Sequence, residues 1–266
     1  MSRIIVITSG KGGVGKTTVT ANLGTTLARM GRRVALVDAD FGLRNLDLLL
    51  GLENRVVYTA LEVLAGQCRL EQALVKDKRQ EGLMLLPAAQ SRTKESISPA
   101  QMKKLLGVLA QKFEYILVDS PAGIEMGFRN AIAAASEALV VTTPEITSVR
   151  DADRVVGLLE AQNIKRIKLI VNRLKASMVQ AEQMMSVQDV QEILAVPLIG
   201  VLPEDERVLI SSNQGEPLVL SEKNTLPKIA FENIAKRLEG QQVPFLDLMA
   251  EHDNLINRLR RFFGGN

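Results

Sequence analysis

The sequence predicts an α/β fold in which a doubly wound, mostly parallel sheet carries helices on both faces. Short apolar runs rich in β-branched residues recur along the chain, and such runs are typical of strands buried on both faces of a parallel sheet. These runs are residues 3–8, 34–37, 84–86, 115–118, 138–142, 167–171 and 198–202. Several intervals between them have the length of a helix, which is the pattern of strand–helix–strand units. The expected helices span residues 16–30, 99–112, 148–162 and 186–194.

The interval between the first strand and the first helix contains GKGGVGKTT at residues 10–18, which matches the phosphate-binding pattern G-x-x-x-x-G-K-[ST]. Glycines allow successive backbone N–H groups to turn around phosphate oxygens, and the N-terminus of the following helix adds positive potential. The order of strand, glycine loop and helix therefore predicts a P-loop NTPase. Lys16 is expected to contact the β- and γ-phosphates, and Thr17 to offer its hydroxyl to Mg²⁺. The nucleotide-binding residues expected here are Gly10, Lys11, Gly12, Gly13, Val14, Gly15, Lys16, Thr17 and Thr18.

Acidic residues follow two of the predicted strands, at the edge of the sheet where ligands of such folds bind. Asp119 ends the run at 115–118 and fits the Walker B position, in which a carboxylate orients the metal or its water shell. We therefore assign Thr17 and Asp119 to the metal site, with Asp119 acting through water. Asp38 and Asp40 follow the run at 34–37, where an aspartate can either serve the reaction or cap a turn. The sequence leaves both roles open for these two residues.

The composition restricts the class of protein. Lys and Arg number 33 against 30 Asp and Glu, and a net charge of +3 is too small to predict nucleic-acid binding. The single cysteine, Cys68, excludes an intramolecular disulfide and a cysteine metal cluster, which fits a reducing compartment. We expect no signal peptide, because the first strand begins at Arg3, and no apolar stretch approaches the ~20 residues of a membrane span. The expected location is the cytoplasm.

The last residues have the pattern of an amphipathic helix. An apolar stripe about 120° wide is formed by Leu255, Ile256, Leu259, Phe262 and Phe263. Arg258 and Arg260 flank this stripe, and residues 254–266 contain no acidic residue, so they account for the whole net charge of +3. This pattern favours an interfacial membrane helix over a helix packed on the protein's own core. The expected organisation is a nucleotide-binding domain at 1–240, a connector at 241–252 and a membrane-targeting helix at 253–266.

Three features together resemble the deviant Walker A (MinD/ParA) ATPases: Lys11 inside the phosphate-binding loop, DAD at 38–40 and DSPAG at 119–123. Longer segments are similar to the septum-site-determining branch of that family. These segments are FGLRNLDLLLGLENRVVY at 41–58, DSPAGIEMGFRNA at 119–131, TTPEITSVRDADR at 142–154 and SNQGEPL at 212–218. The resemblance implies that the domain at 1–240 is an ATPase that uses ATP and Mg²⁺.

The resemblance also implies roles for single residues. Lys11 would reach across an ATP-bound homodimer to the phosphates held by the other subunit, and Asp40 would orient the attacking water. Gly123 would sense the γ-phosphate. Asn172 and Arg173 would recognise adenine, with the backbone of residues 203–205 closing the base pocket. The expected catalytic residues are Lys11, Lys16 and Asp40, and the expected nucleotide-binding residues beyond the loop are Gly123, Asn172 and Arg173.

For partners, the resemblance implies a homodimer with ATP, the division inhibitor MinC, the activator MinE and an anionic membrane surface. The protein would then be peripheral on the inner face of the cell membrane, or its plastid equivalent, and would block septum formation away from midcell.

Two relatives of the same family remain as alternatives. A flagellar-number regulator also has a membrane-seeking C-terminal helix, but it normally has an added N-terminal segment. A chromosome-partition ATPase would bind DNA through a basic body, whereas this body is neutral. A nitrogenase-type iron protein needs paired cluster cysteines, and one Cys68 per chain is too few.

Overall fold

The computed structural model describes residues 2–90 and 97–248. The strands are β1 (Arg3–Thr8), β2 (Val34–Asp38), β3 (Val75–Lys76), β4 (Leu83–Leu86), β5 (Tyr115–Asp119), β6 (Glu137–Thr142), β7 (Arg166–Leu174) and β8 (Leu198–Pro203). The helices are α1 (Lys16–Arg29), α2 (Leu46–Leu49), α3 (Ala60–Leu64), α4 (Leu70–Ala73), α5 (Pro99–Leu109), α6 (Met126–Ile132), α7 (Ile146–Ala161), α8 (Ala176–Gln180), α9 (Val187–Leu194), α10 (Glu206–Asn213) and α11 (Leu226–Leu238). Short 3₁₀ helices lie at Glu53–Arg55 and Leu218–Leu220.

Within the described ranges the strands form one eight-stranded sheet in the order β3-β4-β2-β5-β1-β6-β7-β8. Neighbouring strands are parallel except at one edge, where β3 pairs antiparallel with β4. The predicted mostly parallel α/β fold is confirmed, and each strand or helix predicted within the described residues corresponds to an observed one. The edge strand β3 was not predicted, because two residues are too few to show a periodic pattern.

Side chains of the central strands alternate between two apolar layers, one on each face of the sheet. Val6 and Val118 belong to one layer, whereas Ile5, Ile7 and Leu117 belong to the other, and all of them are fully buried. A strand buried on both faces needs apolar residues at every position, which explains the continuous β-branched runs in the sequence. The two layers therefore bury β1 and its neighbours on both faces of the sheet.

The strand register brings together the strand ends that carry the phosphate-binding loop and the acidic residues. β1 lies between β5 and β6, and Ile7 and Asp38 are both aligned with Asp119 in the parallel ladders. The carboxyl ends of β1, β2 and β5 therefore meet at one edge of the sheet. The phosphate-binding loop follows β1 at this edge, and the two acidic segments follow β2 and β5.

The first part of the predicted connector is packed on the body. Arg237 of α11 donates from Nε to the carbonyl of Val243 at 3.0 Å and from Nη2 to the carbonyl of Pro244 at 2.8 Å. Its guanidinium also lies 4.0 Å from the ring centroid of Phe245, and Leu248 is buried. The amphipathic helix predicted at 253–266 lies outside the described residues. Among the helices that are described, none combines the length and apolar character needed to cross a membrane.

Candidate functional site

A cavity of about 670 Å³ opens at the carboxyl edge of the sheet, within the range of ~300–1,000 Å³ typical of small-molecule sites. Its floor is the loop at 10–18. The loop residues that line it are Gly12, Gly13, Gly15, Lys16, Thr17 and Thr18. Helix α1 begins at Lys16, directly after Gly15, which has no side chain to cap the helix, and the first turn contains no acidic residue. The N–H groups of this first turn therefore form a site suited to an anion.

Lys16 is a buried cation at the base of the cavity. The residue is only 7% exposed, and its Nζ donates a hydrogen bond to Ser9 Oγ at 2.9 Å. Burial lowers the pKa of Lys16, while the charges of Asp119 and Asp40 act in the opposite direction. A poorly hydrated ammonium group in this position would be stabilised by phosphate oxygens, so the residue fits a triphosphate ligand.

Thr17 and Asp119 meet beside Lys16, as a Mg²⁺ site requires. Asp119 is almost fully buried, and it accepts hydrogen bonds from the hydroxyls of Thr17 and Thr20, the latter at 3.2 Å. Among the described residues there is no cluster of three or more His, Cys, Asp or Glu that could hold a metal alone. The donor set therefore fits Mg²⁺, which keeps several waters and is commonly bound through one or two protein groups plus substrate phosphates.

The two aspartates of the DAD segment, one at the end of β2 and the other two residues later, have different environments. Asp38 is buried; its Oδ1 accepts from the N–H of Asp40 at 2.9 Å, and its Oδ2 accepts from the N–H groups of Asn45 and Leu46 at 3.2 Å each. Asp38 is thus a turn residue that fixes the segment after β2. Asp40 is partly exposed and lines the cavity, where its carboxylate can act on a ligand.

Lys11 lies outside the lining of the cavity and is paired within its own chain. Its Nζ is 3.2 Å from Glu145 Oε2 and 3.4 Å from Thr147 Oγ1, at the start of α7. The same helix touches the loop through Gly10, where an added Cβ would lie 2.3 Å from the backbone carbonyl of Asp151. The first glycine of the motif is therefore required by the close approach of α7.

The predicted adenine-recognition residues lie at the end of β7, and both line the cavity. Asn172 Nδ2 donates to the carbonyl of Val14 at 2.8 Å, and its Oδ1 accepts from the N–H of Arg173 at 2.9 Å. Asn172 therefore also braces the phosphate-binding loop. Gly123 does not line the cavity; its N–H lies 3.4 Å from the carbonyl of Ser9, beside the base of the loop.

Apart from Asp40, the residues of the side walls of the cavity were not predicted as site residues. One wall contains Asp40, Leu43, Asn45, Leu48 and Leu49, from the segment that ends in α2. The opposite wall contains Val208, Leu209, Ser212 and Asn213 of α10, next to the predicted backbone at 203–205. Half-exposed apolar residues such as Leu48 and Leu209 belong to no chemical motif, so the sequence offered no signal for them.

Comparisons with known proteins agree with this geometry. Residues 5–218 match the family model described as the CobQ/CobB/MinD/ParA nucleotide binding domain. The septum site-determining protein MinD of Synechocystis sp. is 64% identical over 261 residues, which are 98% of each chain. The MinC:MinD cell division protein complex of Aquifex aeolicus contains a chain that is 50% identical, with a TM-score of 0.86, covering 91% of this chain and 98% of that one.

A third comparison concerns the ligand. MinD of Pyrococcus horikoshii, solved as a complex with Mg-ADP, is 35% identical, with a TM-score of 0.81, and covers 90% of this chain and 96% of that one. These findings confirm the resemblance to the deviant Walker A (MinD/ParA) family and the expected nucleotide-binding class.

The replacement Asp119→Asn is expected to change the pH dependence of stability in the absence of nucleotide and Mg²⁺. Burial, followed by the charge of Asp38, raises the pKa of Asp119 from 3.8 to about 8. Between these values the folded protein binds a proton that the unfolded chain releases, so the wild type loses stability as the pH rises from about 4 to about 8. The free energy of unfolding of Asp119→Asn minus that of the wild type should therefore increase as the pH rises over this range.

Urea unfolding measured across this pH range tests the expectation. Asp153→Asn, on the exposed face of α7, is the control and should show no such trend. A difference between Asp119→Asn and the wild type that stays constant with pH would contradict the buried, protonated state of Asp119.

Proposed function

The chain belongs to the CobQ/CobB/MinD/ParA nucleotide-binding family, and on that premise we propose that it is a Mg²⁺-dependent ATPase that regulates where the cell divides. The observation that carries the proposal is the cavity at the carboxyl edge of the sheet, which is lined by Lys16, Thr17 and Asp40, together with the buried Asp119 that is hydrogen-bonded to Thr17. The septum site-determining name of a relative that is 64% identical over 98% of the chain supports the cellular role.

The proposed chemistry assigns one task to each of these residues. Lys16 and the N–H groups of α1 bind the phosphates, while Thr17 and Asp119 hold Mg²⁺, with Asp119 acting through water. Bound Mg²⁺ would neutralise charge that develops on the phosphates. Asp40 orients the attacking water, because it is the carboxylate of the DAD segment that faces the cavity while Asp38 is held in the turn.

Nucleotide-dependent dimerisation is proposed through Lys11. Its ion pair with Glu145 joins side chains that are 43% and 56% exposed, and pairs of this kind contribute about 0–1 kcal/mol. A triphosphate on a second copy of the chain offers several charged acceptors, so Lys11 can exchange its partner at little cost. In the homodimer, each Lys11 would then contact the phosphates of the opposite site.

The proposed partners follow from the family and the tail. MinC is proposed because a chain of the MinC:MinD complex has the same fold as this protein. MinE is proposed as the activator that releases the protein by stimulating hydrolysis. Residues 253–266 are proposed as a helix that binds anionic membrane on the inner face of the cell membrane or its plastid equivalent, joined to the domain at 1–240 by the connector at 241–252. A flagellar-number regulator is the second candidate, since it would share the site and a membrane-seeking helix.

We expect Lys16→Ala and Lys11→Ala to separate nucleotide binding from dimerisation. Lys16→Ala should weaken ATP binding by about 100-fold or more, because the phosphates lose a direct, desolvated counter-charge. Lys11→Ala should retain ATP binding in the monomer but should not form the ATP-dependent dimer in light-scattering measurements. Normal ATP-dependent dimerisation of Lys11→Ala would contradict a role for this lysine in trans.

Asp40→Ala is expected to bind ATP and dimerise but to lose hydrolysis by about 100-fold or more, as removal of a general catalytic group does. The hydrogen bond from Asp40 to Asp38 should survive, since it comes from the backbone N–H, which alanine retains. Phosphate release and ATP affinity are measured on the same sample, with Asp153→Asn as control. Undiminished phosphate release would contradict a role of Asp40 in hydrolysis and would leave it a purely structural residue.

Removal of residues 254–266, or replacement of Phe262 and Phe263 by Asp, should abolish cosedimentation with anionic vesicles while ATP binding and dimerisation persist. One short apolar stripe binds membrane weakly, whereas two stripes on one dimer make the second insertion effectively intramolecular. The wild type should therefore bind vesicles with ATP and much less with ADP. Neutralising Arg258 and Arg260 should weaken binding by about 1 kcal/mol each, on anionic lipid more than on neutral lipid. Equal binding with ATP and ADP would refute the nucleotide-dependent anchor.

A further inference from the structure

The two side walls of the cavity approach each other outside it. The first wall ends with α2 and continues into Leu50 and Gly51, and the second ends with α10 and continues into Gly215. An added Cβ on Gly51 would lie 2.7 Å from the carbonyl oxygen of Gly215, and one on Gly215 would lie 2.9 Å from Gly51 Cα. The walls are therefore in backbone contact at these two glycines, and their spacing leaves no room for a side chain.

Arg79, in the turn between β3 and β4, bonds to both walls at this contact. Its Nη2 donates to the carbonyl of Leu50 at 2.5 Å, and its Nη1 donates to the carbonyl of Gly215 at 3.3 Å. Both acceptors lie just beyond the C-terminal ends of the two helices, where carbonyl groups lack helical partners and attract a cation. One guanidinium thus joins the wall that carries Asp40 to the wall formed by α10, without lining the cavity itself.

Asp77 fixes the orientation of this guanidinium. Asp77 is 1% exposed, and its carboxylate receives Arg79 Nη2 at 2.9 Å and Nε at 3.3 Å, as well as the backbone N–H of Arg79 at 2.6 Å. The N–H of Asp77 donates to the carbonyl of Leu83 in β4. The sheet edge therefore holds Arg79 in a planar two-pronged geometry that a lysine cannot reproduce.

The second wall is also tied to the helix that follows the phosphate-binding loop. Asn22 of α1 accepts from the N–H of Val219 at 3.2 Å, and Arg29 donates to the carbonyl of Val219 at 2.6 Å. Asn22 also donates to the carbonyl of Thr18, which lines the cavity. The segment at 212–219, which contains the whole SNQGEPL block, is therefore linked to the floor of the cavity through Asn22 and to the first wall through Gly51.

We propose that Arg79 is a positioning residue for the nucleotide, which sets the spacing of the two walls and thereby the affinity of the cavity for adenine nucleotides. The proposal rests on the proposed function of the cavity as a nucleotide site. Arg79 does not line the cavity and acts through the segments that end α2 and α10.

The first test measures Mg-ADP affinity of the full chain for Arg79→Ala, Arg79→Lys and the matched control Arg55→Ala. Arg55 donates to the carbonyl of Lys76 in the same hairpin but does not bond to either wall. We expect Arg79→Ala to weaken binding about tenfold, in line with the loss of charge-assisted hydrogen bonds, and Arg55→Ala to bind as the wild type does. Arg79→Lys keeps the charge beside Asp77, so it should recover thermal stability but not affinity.

The second test moves the walls apart without removing a charge. Gly51→Ala and Gly66→Ala place a Cβ at similar backbone angles, φ +59 and φ +71, but only the former meets a neighbour within 4 Å. Both should lose similar stability from the backbone, while Gly51→Ala alone should lose Mg-ADP affinity, again about tenfold.

The outcomes separate this inference from the proposed function. A wild-type protein that binds no Mg-ADP would overturn both. If the wild type binds and Arg79→Ala and Gly51→Ala match their controls in affinity, the positioning role of Arg79 is wrong and the nucleotide site stands. If Arg79→Lys recovers both Mg-ADP affinity and thermal stability, a positive charge beside Asp77 is sufficient and the two-pronged geometry of arginine is not needed. The proposal then also fails.

Discussion

The site depends on buried acidic and basic side chains that lie together where β1, β2 and β5 end. Asp38 and Asp119 lie side by side in the ladder between β2 and β5, and Lys16 of the loop after β1 interacts with the charge of Asp119. Burial raises the pKa of Asp38 to about 6 and that of Asp119 to about 8, while it lowers the pKa of Lys16. Desolvated charges of this kind are costly unless they have partners, and a metal ion with its phosphates would supply further partners to them.

The surrounding structure holds these charges in place through close backbone contacts. α7 lies against the loop at Gly10, and Asn172 of β7 bonds to the loop at Val14, so α7 and β7 constrain the loop. The hydrogen bonds that Asp38 accepts fix the turn that carries Asp40. The loop and this turn are thus held by contacts within the protein itself. A preorganised site of this kind spends little binding energy on ordering itself.

Sequence reasoning recovered the parts of the molecule whose physics is local. Buried parallel strands require continuous apolar runs, and a phosphate loop requires its glycines and lysine, so both could be predicted. The DAD segment shows where prediction from the sequence stops. Asp38 and Asp40 are two residues apart and would share a face of an extended strand. Their spacing therefore cannot tell which of them accepts the hydrogen bonds of the turn and which lines the cavity. Only the backbone N–H groups of residues 40–46, placed by tertiary packing, make the distinction. The cavity walls were missed for the same reason, because Leu48 and Leu209 meet the same space only after folding.

The contrast between Lys16 and Lys11 indicates how one loop can both bind and switch. Lys16 is 7% exposed, so moving its charge away from an anion would leave it desolvated and unpaired. Lys11 has a side chain that is 43% exposed and an ion pair with Glu145 that water can replace. A strong interaction cannot change partners on binding, whereas a weak one can be exchanged for a stronger one. The buried lysine therefore suits retention of the nucleotide, and the exposed lysine suits recognition of a second, nucleotide-loaded copy of the chain.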